Sequence, residues 1–120
     1  MKKALRTESL AIHAGRRVDP GTGAVLVPVY LNTTFERAAD GSYPTGYEYI
    51  RDGHPNTVAL ETTLASLEQG SDAVVFSSGS AAIMAVLFSC GQRHIVAGYD
   101  CYNGTLRQLR EIAPQWGAQV

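Results

Sequence analysis

Only two cysteines occur, Cys90 and Cys101, and they follow no metal-ligand spacing. Two are too few for a disulfide scaffold, so they read as buried free thiols of a reducing cytoplasm, with a bridge between them left open. Charge of one sign is also missing. Ten basic residues face eleven acidic ones, for a formal charge of -1, which gives no electrostatic footing for nucleic acid or an anionic membrane. Long apolar runs are absent. The longest, Ala81 to Phe88, is far too short to span a bilayer, and the Met-Lys-Lys start carries no secretion-type segment. His13, His54 and His94 do not cluster, so no metal site is read. His94 reads as a part-buried histidine at a strand start, and no Ser-His-Asp arrangement is present.

What remains is ordinary globular material. Hydrophobic residues make up 45% of the 120 and charged residues 18%, a balance that excludes disorder and suits one small domain. The chain divides near residue 56. Before it, Gly, Pro, Asn, Thr and Tyr are dense and neither a helical nor a strand period persists. Pro20-Gly21-Thr22-Gly23 reads as a turn, Val25 to Tyr30 as an extended piece broken by Pro28, and Asp40 to Gly46 as loop. So long an irregular segment is characteristic of a functional loop, a mobile terminus or an interaction arm.

After residue 56 the pattern sharpens. Pro55 and Asn56 open a helix with Leu60, Leu64 and Leu67 on one face, stopped by Gly70. Ala73 to Phe76 reads as a buried strand, Ser77-Ser78-Gly79-Ser80 as a turn, and Ala81 to Cys90 as an apolar helix ending at Gly91. In that helix Ile83, Met84 and Leu87 are placed to pack on a sheet. His94 to Ala97 is a second buried strand, Gly104 to Ala113 a helix stopped by Pro114, and Trp116 to Val120 the start of a third strand. The order β-α-β-α-β predicts an α/β fold with a mainly parallel sheet. Such a sheet needs both faces covered, and two or three strands leave it unfinished.

Three places could carry chemistry. At residues 77–80 a strand ends and a helix begins, so free N–H groups and the helix dipole converge where a phosphate would sit. Gly79 permits close approach there, and Ser78 and Ser80 add hydroxyls, although serine and glycine are also ordinary helix caps. In Tyr47-Glu48-Tyr49-Ile50-Arg51, alternation puts Tyr49 and Arg51 on one side, where a phenol and a guanidinium could clamp a phosphate. The plainer alternative is an exposed tyrosine-rich loop. Tyr102, in the loop after the second strand, could stack on a planar ligand or merely cap the core. No G-x-G-x-x-G or P-loop pattern is present, which counts against a small nucleotide-binding domain.

In order and spacing these segments resemble the Cys/Met-metabolism PLP-dependent (pyridoxal-phosphate) enzyme family, over nearly the whole chain. The resemblance runs from Thr7–Gly15 (T-E-S-L-A-I-H-A-G) through Asp19–Val25 and Pro28–Phe35 (P-V-Y-L-N-T-T-F). It continues through Tyr49-Ile50-Arg51, Gly53–Asn56, Ala59–Glu61, Leu67–Gly70, Ser77–Ile83 and Asp100–Thr105. It implies the front part of a fold-type I PLP-dependent transferase, with residues 1–55 an arm contacting a neighbouring subunit and 56–120 the start of the large PLP-binding domain. Tyr49 and Arg51 would bind the PLP phosphate of that neighbour, and Gly79 and Ser80 would donate backbone N–H groups to the phosphate of their own subunit. Tyr102 would stack on the pyridine ring and assist proton transfer. Glu48 would bind the distal ammonium of a substrate such as cystathionine, which favours a γ-synthase or γ-lyase. The resemblance further implies a cytoplasmic homo-oligomer, a dimer at minimum and a tetramer for the full-length enzyme, acting on an amino-acid substrate.

Three departures stand out. Ser80 occupies the family's usual methionine position, at small expected loss because the backbone makes the contact. The family's G-N-P-T is here Gly53-His54-Pro55-Asn56, which leaves the asparagine side chain without an assigned role while Pro55 sets the helix entry. The chemistry also needs a Schiff-base lysine and an acid at the pyridinium nitrogen. The only lysines are Lys2 and Lys3, neither suited to that task. The chain is therefore expected to be the front portion of a transsulfuration enzyme, inactive alone. The alternative is a truncated, non-catalytic relative that binds a subunit or a phosphate.

Overall fold

A computed structural model describes residues 5–91 and 93–120, so Lys2 and Lys3 lie outside the described residues. The chain forms two compact units, Met1–Val75 and Phe76–Val120. The opening helix of the expected large domain therefore groups with the arm.

In the first unit, α1 spans Thr7–His13 and α2 spans Pro55–Leu67. The sequence pattern did not show α1. Seven residues are too few to hold a helix by propensity, so this one depends on packing against α2. The Thr63 hydroxyl lies 2.8 Å from the carbonyls of both Ala14 and Ala59, a three-centre bond that ties the end of α1 to α2. Gly15 follows with φ 71°, and a Cβ there would collide with the Ala59 carbonyl and the Thr63 hydroxyl. Only glycine permits this approach.

Helix α2 starts as expected, with Pro55 in its first turn and the His54 ring accepting from the Asn56 N–H at 3.3 Å. Its end differs from expectation. Gln69, with φ 56°, makes the left-handed turn, and the Gly70 N–H reaches back to the Ala65 carbonyl. Of the expected face, Leu60 and Leu64 are exposed and Leu67 is half-buried, and α1 packs on α2 beside that face, through Ala59 and Thr63. The turn at residues 20–23 is present, closed by the Asp19 carboxylate accepting from the Thr22 N–H and hydroxyl.

In the second unit, α3 spans Gly79–Cys90 and ends at Gly91, φ 61°. Helix α4 covers Asn103–Arg107, then widens into a π turn over Gln108–Ile112 and tightens into a 3-10 turn over Ala113–Trp116. The continuous helix expected to stop at Pro114 is thus three pieces. Proline has no N–H for the regular ladder, and the turns around it adjust. Leu87, Leu109, Ala113 and Ala118 form the buried core, with Phe88 stacked on Trp116 at 3.8 Å between ring centres. Cys90 and Cys101 are free and half-buried.

The expected strands are only partly realised. Residues 73–76 join no ladder, and residues 94–97 meet the chain end through one parallel bridge, His94 to Gln119. Val74 is 70% exposed and Val96 89%, and His94 is exposed where partial burial was expected. A strand with no neighbour has nothing to bury its side chains, so valine content alone does not bury these segments.

Candidate functional site

Two places carry the chemistry-bearing residues, one in each unit. In the first, a short antiparallel ribbon forms where the Phe35 N–H bonds the Glu48 carbonyl at 3.1 Å and the Ile50 N–H bonds the Thr33 carbonyl at 2.9 Å. The ribbon fixes Glu48 and Tyr49, and a turn after it carries Arg51. The Arg51 guanidinium lies over the Tyr49 ring, 4.2 Å from its centre. Among the described residues no carboxylate pairs with it, so its charge is open to an anion. Glu48 is held from the side, its Oε1 accepting from the Tyr43 hydroxyl at 2.9 Å. That bond, ahead of a smaller burial effect, raises the Tyr43 phenol above its ordinary value. These residues line an open groove with Thr34, Phe35 and Arg37.

In the second unit the site is the mouth of α3. Ser78 caps it, with its hydroxyl accepting from the Ala81 N–H at 3.2 Å and its carbonyl taking the Ala82 N–H. The N–H groups of Gly79 and Ser80 have no partner among the described residues. A Cβ built on Gly79 would meet nothing within 4 Å, so the approach is open. Two unpaired donors at the positive end of a twelve-residue helix fit a phosphate group.

Gln108, which sequence reasoning passed over, underlies this mouth. Its Nε2 donates to the Ser80 hydroxyl at 2.7 Å and to the Ser80 carbonyl at 3.1 Å. The residue is only 8% exposed, and its Oε1 has no partner among the described residues. No local pattern singles Gln108 out, because its partner Ser80 lies 28 positions away. Tyr102 caps α4 through its carbonyl and leaves its side chain 78% exposed. Its ring lies over Gly104, where a Cβ would come within 2.7 Å of it.

Glu48, Tyr49 and Arg51 thus stand together in one unit, and Gly79, Ser80 and Tyr102 belong to the other. No group of three metal-ligating side chains, and no helix long and apolar enough to cross a membrane, occurs among the described residues.

A serine-glycine turn opening an apolar helix, then a parallel bridge at His94, a loop and a second helix, fit an α/β protein of the parallel-sheet kind. The family model for Cys/Met metabolism PLP-dependent enzymes matches residues 8–120, and the chain belongs to that family, whose cofactor is PLP. Cystathionine gamma-synthase of Mycobacterium tuberculosis is 43% identical over 111 residues, which cover 91% of this chain and 29% of the relative. Cystathionine beta-lyase of Lactococcus lactis is 44% identical over 108 residues, 88% of this chain and 28% of the relative. The crystal structure of cystathionine gamma-lyase from yeast superposes with a TM-score of 0.84 at 35% identity, covering 99% of this chain and 30% of the other. The fold is accordingly the front part of the fold-type I architecture. The chain spans about three tenths of the length of these relatives.

Proposed function

We propose that this chain is the front portion of a PLP-dependent transsulfuration enzyme acting by γ-replacement or γ-elimination on cystathionine or an activated homoserine ester. The observation that carries the proposal is the mouth of α3, where Gly79 and Ser80 offer two unpaired N–H groups in a chain of this family. When bound, PLP supplies an electron sink for charge developing at substrate carbon. Gly79 and Ser80 hold its phosphate within their own subunit, and residues 56–120 begin the large cofactor-binding domain. Residues 1–55 act as an arm that carries Tyr49 and Arg51 to the phosphate of a neighbouring subunit. The uncompensated charge of Arg51 supports this role, which makes a dimer the minimum unit and a tetramer the full-length assembly. Tyr102 stacks on the cofactor ring and moves a proton at its phenol oxygen, a role supported by its exposure beside Gly104. Glu48 takes the distal ammonium of the substrate through Oε2, since Tyr43 occupies Oε1. The enzyme works in the cytoplasm.

The test uses the full-length polypeptide, assayed for keto-acid release from cystathionine and for cystathionine formation from an activated homoserine ester plus cysteine. A coloured protein active in either assay supports the proposal, and the stronger assay names the reaction. A colourless protein inactive in both refutes it. A second reading, a non-catalytic fragment that binds a subunit, is favoured by the bare Val74 and Val96 side chains. Stable capture of the 120-residue chain by the full-length protein, with no turnover of its own, would point there.

A further inference from the structure

We infer that Gln108 is a positioning residue that turns the Ser80 hydroxyl into a third donor for the cofactor phosphate, beside the N–H groups of Gly79 and Ser80. The inference rests on the reading of the α3 mouth as the phosphate site.

The orientation of the Gln108 amide follows from chemistry. One of its terminal atoms lies 3.1 Å from the Ser80 carbonyl, which can only accept, so that atom is nitrogen. The same nitrogen lies 2.7 Å from Ser80 Oγ. One proton goes to each partner, and both donor sites of the amide are filled. The Ser80 oxygen therefore receives a proton from Gln108 and cannot send its own back along that line. Its O–H has no other partner among the described residues, the residue is exposed, and it sits at the second position of α3. An anion at the helix mouth meets that proton together with the two unpaired N–H groups. The arrangement also leaves Gln108 Oε1 buried and unpaired. An apolar side chain would avoid that penalty and could pack the same space, so a brace between helices is an insufficient reason for glutamine.

Ser80→Ala, Gln108→Met and the double variant, each in the full-length apoenzyme, are titrated with PLP and with pyridoxal, which lacks the phosphate. The ³¹P resonance of bound PLP is recorded in parallel. Ser80→Ala is expected to weaken PLP about tenfold, and Gln108→Met about threefold, the range for losing or misaligning one charge-assisted hydrogen bond. Pyridoxal affinity stays put, the phosphorus resonance moves in both single variants, and Gln108→Met adds nothing once Ser80 is alanine. Unchanged PLP affinity in Ser80→Ala overturns the inference. So does a Gln108→Met effect that persists in the alanine background or weakens pyridoxal equally, because that is the signature of a simple brace. Should Gln108→Met fail to fold, Ser80→Ala and its phosphorus shift decide alone. Equal affinity of the unaltered protein for PLP and pyridoxal would instead remove the phosphate site, and the inference with it.

Discussion

The side-chain amide of Asn56 holds the backbone on both sides of Val29, donating to the Pro28 carbonyl at 2.7 Å and accepting from the Tyr30 N–H at 2.9 Å. The residue stands in the first turn of α2, so the helix entry set by Pro55 also anchors a stretch of arm 26 residues upstream in sequence. Proline at 28 removes one N–H from that stretch, and its neighbours have no sheet to join. A side chain that offers one donor and one acceptor in a plane mimics the missing strand edge.

Asn56→Ala removes both bonds and leaves two half-buried backbone groups unsatisfied. The expected loss is about 1–3 kcal/mol, read as a lower denaturation midpoint of the full-length protein, together with faster proteolysis between residues 25 and 35. Asn56→Asp is expected to fare no better, because a carboxylate would face the Pro28 carbonyl. Unaltered stability and cleavage in both variants would show that the arm is held by other contacts.

The Tyr43–Glu48 pair gives a pH prediction. The phenol donates to the carboxylate, and that bond, with burial second, raises the Tyr43 pKa above 10.0. A raised value means that the folded protein keeps a proton that the unfolded chain releases. The pair's contribution to stability is thus fully present below the unfolded value and lost as pH rises through the folded one. Subtracting the ultraviolet tyrosinate titration of Tyr43→Phe from that of the unaltered protein isolates this one phenol among six. The difference curve is expected above 10.0, and Glu48→Gln should move it downward. A curve that ignores Glu48→Gln would mean that the hydrogen bond is not formed in solution.

The sequence made some of these elements visible and hid others for physical reasons. The turn at residues 77–80 and helices α2 and α3 were readable because a proline at the helix start, a serine cap and a terminal glycine act within a few residues. Helix α1 was hidden, since its stability comes from Thr63 and the space at Gly15, which belong to contacts about 50 positions apart. The strand segments were legible in composition, but their burial was not. Ala73–Phe76 has the composition of a buried strand, but burial depends on neighbours, and Val74 has none covering it here. Glu48, Tyr49 and Arg51 were legible as a cluster because they are adjacent, whereas the Gln108–Ser80 pair joins residues 28 positions apart. Asn56 belonged to a departure from the family pattern in which the asparagine side chain had no assigned role, and its two long-range bonds became visible only with the fold.

The arm proposal makes the most demanding prediction, because it concerns two copies of the protein. Arg51→Ala removes an exposed guanidinium whose neighbour in the structure is the Tyr49 ring, so stability should change little while PLP affinity falls. Gly79→Asp places a carboxylate at the open mouth of α3, where the unpaired N–H groups lie, and should also abolish cofactor binding. If each phosphate is held by α3 of one subunit and Arg51 of the other, a hybrid dimer of the two variants has one site with both lesions and one with neither. Random mixing makes about half of the dimers hybrids, each with one intact site, so about a quarter of the full activity should return. If Arg51 instead serves its own subunit, every site in every hybrid carries one lesion and nothing returns. Arg51→Lys separates charge from geometry in the same assay. It keeps the cation but loses the planar fork that binds phosphate through two N–H groups and stacks on Tyr49. Partial recovery of PLP affinity with lysine would show that charge alone carries part of the contact, and no recovery would show that the fork and its stacking on Tyr49 are required.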